Sequence, residues 1–245
     1  MSKIKTIFFD LDETLIENKL SVTEVFGQTF VDFTNELGAS NKAAFFSELS
    51  KSAKTVWEQM FSVETSPERQ IIQCFEDSIA ATGAVSNMRQ FSLAQEMFEH
   101  FLDLTSDNVT FQDNAENMLN DLKSIGFSTG IITNGVEKIQ LRKIHKLRVN
   151  ELVDHVTVSA QARAHKPLSP VFELAVSKAR TAPSQCMMVG DHPTNDVAGG
   201  IRAGMKGVYY NPKKHDINKA FANLDEKPDH VIESMSELIT ILWQS

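Results

Sequence analysis

From about residue 109 onward, short apolar runs alternate with amphipathic stretches, and that alternation limits the folds open to this 245-residue chain. "NAENMLNDLKSIG" (114–126) sets Met118, Leu119, Leu122 and Ile125 on one helical stripe and stops at Gly126. "FSTGIITNG" (127–135) then reads as a buried strand closed by Asn-Gly. "VEKIQLRKIHKL" predicts a helix, "HVTVS" (155–159) a strand, "SPVFELAVSKAR" (169–180) a helix and "CMMVG" (186–190) a strand. "TNDVAGGIRAGM" adds a helix, "KGVYY" (206–210) a strand, and "DHVIES" and "SELITILWQ" close the chain. Apolar strands separated by amphipathic helices specify an α/β protein, a parallel sheet covered on both faces.

Such sheets bind ligands beyond the carboxyl ends of their strands, so the residues just after each apolar run carry the information. They are Asp10 and Asp12 after "TIFF", Thr133 and Asn134 after "GIIT", and Gly190 and Asp191 after "MMV". Two carboxylates two positions apart at the end of a buried run repel each other unless something positive lies between them. A metal, a cationic partner and plain exposure in a loop all remain open as answers. Taken singly, Asp-x-Asp reads as a turn or helix cap, Thr133-Asn134-Gly135 as a strand-ending turn, and Asp191 and Asp196 as caps of the following helix.

Residues 17–108 differ in character, with no Val/Ile-rich run. In "SVTEVFGQTFVDFTNELG", Val22, Phe26, Phe30, Phe33 and Leu37 recur at helical spacing. Ten of the sixteen phenylalanines, Phe26 through Phe101, fall here, so the segment needs a core of its own. The expected organisation is a core domain of residues 1–16 and 109–245 interrupted by an all-α domain of residues 17–108. The formal charge, 24 − 32 = −8, argues against a nucleic-acid polymer or an anionic membrane as partner. Cys74 and Cys186 stand far apart in dissimilar contexts and suggest neither a disulfide framework nor a zinc cluster. No run approaches the roughly 18 apolar residues of a membrane helix, and charge arrives at Asp10 before a signal peptide's apolar length accumulates. A cytoplasmic location is expected.

Four motifs in order resemble those of the haloacid dehalogenase superfamily of phosphohydrolases. "DLDET" (10–14) is similar to its Asp-x-Asp-x-Thr, and "IITNG" (131–135) to the apolar strand ending in Thr or Ser. Lys166 in "AHKPLSP" resembles the third motif, and "GDHPTND" (190–196) the fourth, Gly-Asp-x-x-x-x-Asp. The resemblance spans essentially the whole chain. It implies a Rossmann-like parallel sheet with a helical cap inserted after the first motif. It also implies a Mg²⁺-dependent phosphatase, because an anionic phosphate ester must be neutralised before another anion attacks it. Asp10 and Asp191 would supply carboxylates to the ion and Asp12 its main-chain carbonyl. Thr14 and Asp196 would support these groups from behind, Asp196 by bracing the ion's waters or Lys166. Asp10 would be the nucleophile forming an aspartyl-phosphate, and Asp12 the acid that protonates the leaving alcohol and later deprotonates water. Thr133 and the Asn134 amide would hold phosphoryl oxygens, with Lys166 offsetting the charge gathered there. Glu13 stands where many members have Gly, "KPLSP" replaces Lys-Pro-Asp-Pro, and "SAQARAHK" lacks acidic residues ahead of the lysine.

Superfamily members that displace halide, or cleave phosphonates, resemble phosphatases but lack the second aspartate, so Asp12 points to phosphoryl transfer. The expected substrate is a small soluble phosphomonoester, a nucleoside monophosphate or a sugar phosphate. The branch resembled contains pyrimidine 5′-nucleotidases, sugar phosphatases and flavin-precursor phosphatases. A phosphosugar mutase keeps the same groups and is the alternative; a non-catalytic binding protein of the same fold is a third reading. His165 and His192 read as neighbours of the site, since Mg²⁺ prefers oxygen. Cys186 reads as core. Lys138, Arg142, Lys143, Lys146 and Arg148 read as a solvated helix face. Oligomeric state is not legible in the sequence.

Overall fold

The computed structural model describes residues 3–59 and 65–243. The chain forms two compact units, one made of the residues up to 18 and from 109 onward, the other of residues 19–108. The strands, in chain order, are β1 (Thr6–Phe9), β2 (Ile16–Asn18), β3 (Val109–Phe111), β4 (Ser128–Thr133), β5 (His155–Val158), β6 (Cys186–Gly190), β7 (Lys206–Tyr210) and β8 (His230–Ile232). Six of them make one parallel sheet in the order β5-β4-β1-β6-β7-β8, and β2 and β3 form an antiparallel ribbon. The boundary expected after residue 16 therefore falls after Asn18. Residues 16–18 pair with Val109–Phe111 and belong to the sheet unit.

"TIFF" has no polar face to give to water, and all four of its residues are buried at the centre of the sheet. Strand alternation then divides the core in two. Ile7 and Phe9, with Ile131, Met187 and Val189, pack on one face against Met118, Leu119 and Leu122 of helix Ala115–Ser124, Ile144 of helix Glu137–Lys146 and Leu238 of helix Glu237–Leu242. Phe8, with Ile132, Cys186 and Met188, packs on the other against Val171, Phe172 and Ala175 of helix Ser169–Ala179. Cys186 is thus a core residue, as its place in "CMMVG" suggests. Ile125 leaves the expected stripe: the helix ends at Ser124 and Ile125 is 41% exposed. "TNDVAGGIRAGM" resolves into a π-helical segment, Pro193–Ala198, running into a short α-helix, Gly199–Arg202.

Within residues 19–108 the helices are Val22–Asp32, Thr34–Leu37, Lys42–Gln59, Pro67–Thr82 and Asn87–Asp107, with a short 3₁₀ turn at Ala39–Asn41. Ser21 and Glu24 cap the first reciprocally, each side chain taking the other's backbone amide. The expected apolar stripe is broken: Val22 lies 64% exposed while Val25 is buried, and the first helix stops before Phe33. The phenylalanines do form a core. Phe26 stacks on Phe101 at 4.6 Å, and Phe30 meets Phe45 at 5.1 Å. Phe61 lies outside the described residues. Among the described residues no helix is long and apolar enough to cross a membrane.

Two glycines test this packing from opposite sides. In β4 a Cβ on Gly130 would sit 2.8 Å from the Phe8 ring and 3.2 Å from the His155 Cβ, whereas around Gly27, inside helix Val22–Asp32, nothing lies within 4 Å. Gly130→Ala should cost about 1–3 kcal/mol through overpacking. Gly27→Ala should gain about 0.5–1 kcal/mol of helix propensity. Urea unfolding followed by circular dichroism should show a lowered midpoint for the first and a raised one for the second.

Candidate active site

The sheet's order reverses at β1: the chain runs from β1 to β4 and β5 on one side, and from β6 to β7 and β8 on the other. Asp10, following β1, continues the ladder by donating its amide to Val189 of β6 at 2.9 Å. Asp191 follows β6, and Thr133 ends β4 on the other flank of β1. The residues after three neighbouring strands are thereby gathered on one rim, at the switch point where open α/β sheets hold their ligands.

A tight turn follows Asp10. The amides of Leu15 and Ile16 both reach the Leu11 carbonyl, at 2.9 and 3.0 Å, and Glu13 takes a left-handed backbone with φ +61°. For a residue with a side chain that conformation costs about 1–2 kcal/mol, which explains why glycine suits the position. The turn carries Thr14 to Asp191, whose amide donates to Thr14 Oγ1 at 3.1 Å.

Lys166 is the centre of the charge arrangement. Its buried ammonium donates to Asp10 Oδ1 at 2.6 Å, Asp196 Oδ1 at 2.6 Å and the Ile132 carbonyl at 2.7 Å. Three acceptors match its three protons. Burial works against the charge on Lys166, but Asp10 and Asp196 more than offset it and hold the amine protonated. Burial likewise raises Asp10 well above the ordinary carboxylate range, although Lys166 pulls it back. Asn134 fixes the lysine's backbone: its Oδ1 accepts from Lys166 N at 2.7 Å and its Nδ2 donates to Lys166 O at 3.1 Å. Asp196 also accepts the His192 amide at 3.0 Å. It fits there only because residue 190 is glycine, since a Cβ on Gly190 would lie 2.4 Å from the Asp196 carboxyl carbon.

Carboxylate oxygens of Asp10, Asp191 and Asp196 all lie within 4.8 Å of one another. Asp196 lies beside the two carboxylates expected around a cation, with its own oxygens accepting from Lys166 and the His192 amide. The set consists of hard oxygen donors, and Lys166 compensates Asp10 and Asp196 while donating no hydrogen bond to Asp191. Burial, with the charge of Asp196, pushes Asp191 up to about 6. A cluster short of positive charge and made only of oxygens fits a divalent cation.

Asp12 has different company. Its Oδ1 accepts from Lys143 Nζ at 2.7 Å and Asn18 Nδ2 at 2.9 Å, and its Oδ2 from Gln140 Nε2 at 2.7 Å. Burial alone would raise its pKa, but the Lys143 charge and the three side-chain donors together hold it below the ordinary value. This corrects the reading of Lys143 as part of a solvated face, because it is only 6% exposed, whereas Lys146 and Arg148 of the same basic stretch are exposed. Gln140 also donates to Thr133 Oγ1 at 2.6 Å. Sequence reading missed Asn18, Gln140 and Lys143. One signal was available: Val136, Gln140 and Ile144 fall on one helical stripe, so an amide stands where the apolar face needs a hydrocarbon. The two histidines are structural neighbours. His192 Nδ1 accepts from the amides of Thr194 and Asn195, and His165 Nδ1 meets Ser159 Oγ at 3.1 Å.

Residues 4–204 match the haloacid dehalogenase-like hydrolase family. A glyceraldehyde 3-phosphate phosphatase of Pyrococcus furiosus is 26% identical over 250 residues, 99% of this chain and 94% of that protein. The N-acylneuraminate-9-phosphatase of Homo sapiens is 23% identical over 243 residues, covering 99% and 95%. Among solved structures, a 2-haloacid dehalogenase from Pseudomonas syringae covers 98% of this chain and 99% of its own, with a TM-score of 0.80 at 23% identity, a likeness of fold. The chain belongs to the haloacid dehalogenase-like hydrolases, and these two relatives, which span nearly its whole length, are phosphatases.

Proposed function

We propose that this hydrolase is a Mg²⁺-dependent phosphatase that cleaves a small soluble phosphomonoester in the cytoplasm through an aspartyl-phosphate on Asp10. The observation that carries the reading is the convergence of Asp10, Lys166, Asp191 and Asp196 at the rim, with a second carboxylate, Asp12, held separately by its own cation. Asp10, Asp191 and Asp196 offer the carboxylates for the ion, with the Asp12 main-chain carbonyl a further oxygen. An ion held there would supply charge neutralisation for the phosphoryl oxygens.

Lys166 orients Asp10 for attack on phosphorus and keeps the pocket's charge in balance. With its three protons already committed, it acts on the phosphoryl group through its field more than through a new hydrogen bond. Thr133 Oγ1 and the Asn134 amide receive phosphoryl oxygens as the P–O bond to the alcohol lengthens. Asp12, held ionised by Lys143 and its other donors, takes a proton from the monoanionic form of the ester and delivers it to that alcohol. It then takes one from the water that attacks the phosphorus of phospho-Asp10, releasing it to solvent as phosphate leaves. The second attack breaks the bond between phosphorus and the Asp10 oxygen and releases inorganic phosphate.

The names of the two full-length relatives favour a phosphorylated sugar or sugar acid over a nucleoside monophosphate. Halide displacement, the activity named for the structural neighbour, needs no proton for its leaving group. The well-held Asp12 therefore speaks for an alcohol leaving group. A phosphosugar mutase would use the same residues.

A panel of sugar phosphates and nucleoside monophosphates separates these readings. Wild type with Mg²⁺ should release inorganic phosphate, EDTA should stop it, and Asp10→Asn should reduce kcat at least about 10³-fold, the scale of a lost nucleophile. An isomeric phosphosugar formed without phosphate release would identify a mutase.

The pKa of Asp191 gives a second prediction. Its folded value of about 6 exceeds its ordinary 3.8, so without a cation the buried charge is a stability cost, absent below pH 3.8 and fully felt above pH 6. A divalent cation removes that cost only where Asp191 is ionised. The Tm increase on adding Mg²⁺ to EDTA-treated protein should therefore be larger at pH 7.5 than at pH 5. Equal increments at both would count against Asp191 as a ligand.

A further inference from the structure

The inward face of helix Glu137–Lys146 carries two polar side chains that packing alone does not call for. Gln140 is 3% exposed and Lys143 6%, beside the apolar Ile144. Burying an ammonium costs several kcal/mol unless a partner compensates it, and a leucine or methionine would fill the same volume without that cost. Each residue instead makes one long-range contact to the loop after β1. Lys143 reaches one oxygen of Asp12 and Gln140 the other, at 2.7 Å in both cases, across 131 and 128 residues of chain. The second proton on Gln140 Nε2 goes to Thr133 Oγ1 at 2.6 Å. From the other side, Asn18 of β2 holds Asp12 Oδ1.

A carboxylate bound at both oxygens has one orientation. The Thr133 hydroxyl, whose oxygen accepts from the Gln140 amide, holds its own proton only on a long 3.5 Å contact to the Asn134 carbonyl, from which a phosphoryl oxygen can take it over. We propose that Gln140 and Lys143 are positioning residues: together they aim the Asp12 carboxyl at the leaving-group oxygen, while Gln140 turns the Thr133 hydroxyl so that it donates to the phosphoryl group. This rests on the phosphatase reading. It extends that reading from the loop residues to a helix face that none of the four sequence motifs includes.

The consequence is selective. An aryl phosphate such as p-nitrophenyl phosphate expels a leaving group that needs little proton assistance, whereas an alkyl phosphate depends on the aimed acid. Lys143→Met should therefore lower kcat on the best alkyl ester of the panel by about 10- to 100-fold, the usual scale for groups that orient a catalytic residue. On p-nitrophenyl phosphate it should lower kcat far less, with KM little changed on either. Gln140→Leu should impair both esters, because it frees Thr133 as well, and Lys143→Arg should recover much of the alkyl-ester rate. Combining Lys143→Met with Asp12→Asn should add nothing to the loss from Asp12→Asn alone. Equal losses on both esters for Lys143→Met, or additive losses in the double variant, overturn the proposal.

A crystal structure of the double variant Gln140→Leu, Lys143→Met, in which Asn18 alone still bonds Asp12, gives a reading independent of turnover. A rotated or split Asp12 side chain supports the proposal, and an unchanged single orientation overturns it. Wild type inactive on every ester would count against the phosphatase reading alone, and that crystal structure would then decide this one.

Discussion

A single buried ammonium organises this site. Lys166 sits at the rim of the central strands and spends its three protons on Asp10, Asp196 and the carbonyl of Ile132. Without it, two carboxylates would face each other in a poorly solvated pocket, and mutual repulsion would protonate one or push them apart. Much of the surrounding structure follows from keeping it there. Asn134 clamps its backbone from both sides, glycine at 190 makes room for Asp196, and the His192 amide holds the second oxygen of that carboxylate. Lys166 compensates only part of the negative charge, and what is left over is concentrated on Asp191, where the proposed cation would balance it.

The two aspartates of the first motif stand two residues apart and yet live in opposite surroundings. Asp10 is pushed up by burial and by its carboxylate neighbours, while Asp12 is pulled down by Lys143 and three hydrogen bonds. These surroundings belong to the site without a cation: an ion beside Asp10 would keep it ionised as a nucleophile must be, and Asp12 has to gain a proton before it can serve as the acid. Asp10 stays with β6, whose Val189 carbonyl takes its amide, while Asp12 faces the helix that follows β4.

Much of the fold was legible in the sequence because burial leaves a periodic trace. "TIFF" and "CMMVG" have no polar face, so they had to be interior strands, and the polar residues that follow them had to lie at a common rim. The helix following Asn114 was equally plain, although it ends at Ser124. Where the pattern misled, geometry had intervened. Val22 and Ile125 sit at helix ends, where a residue in phase with a stripe is no longer carried inward. The strand at 16–18 is too short to announce itself, and only its pairing with Val109–Phe111 gave it to the sheet unit.

By itself, then, the sequence determined the strand and helix alternation, the two-unit organisation and the identity of the acidic and basic groups at the strand ends. Tertiary structure alone decided which of those groups meet. Lys166 and Asp10 are 156 residues apart in the chain, Thr14 and Asp191 are 177, and Lys143 and Asp12 are 131. Hydrophobic burial is read locally, from residues a few positions apart, and so it shows in the order of the letters. An ion pair depends on distances of a few ångströms between side chains far apart in the chain, and no local pattern encodes them. Lys143 looked like any surface lysine until the folded chain set it against a carboxylate.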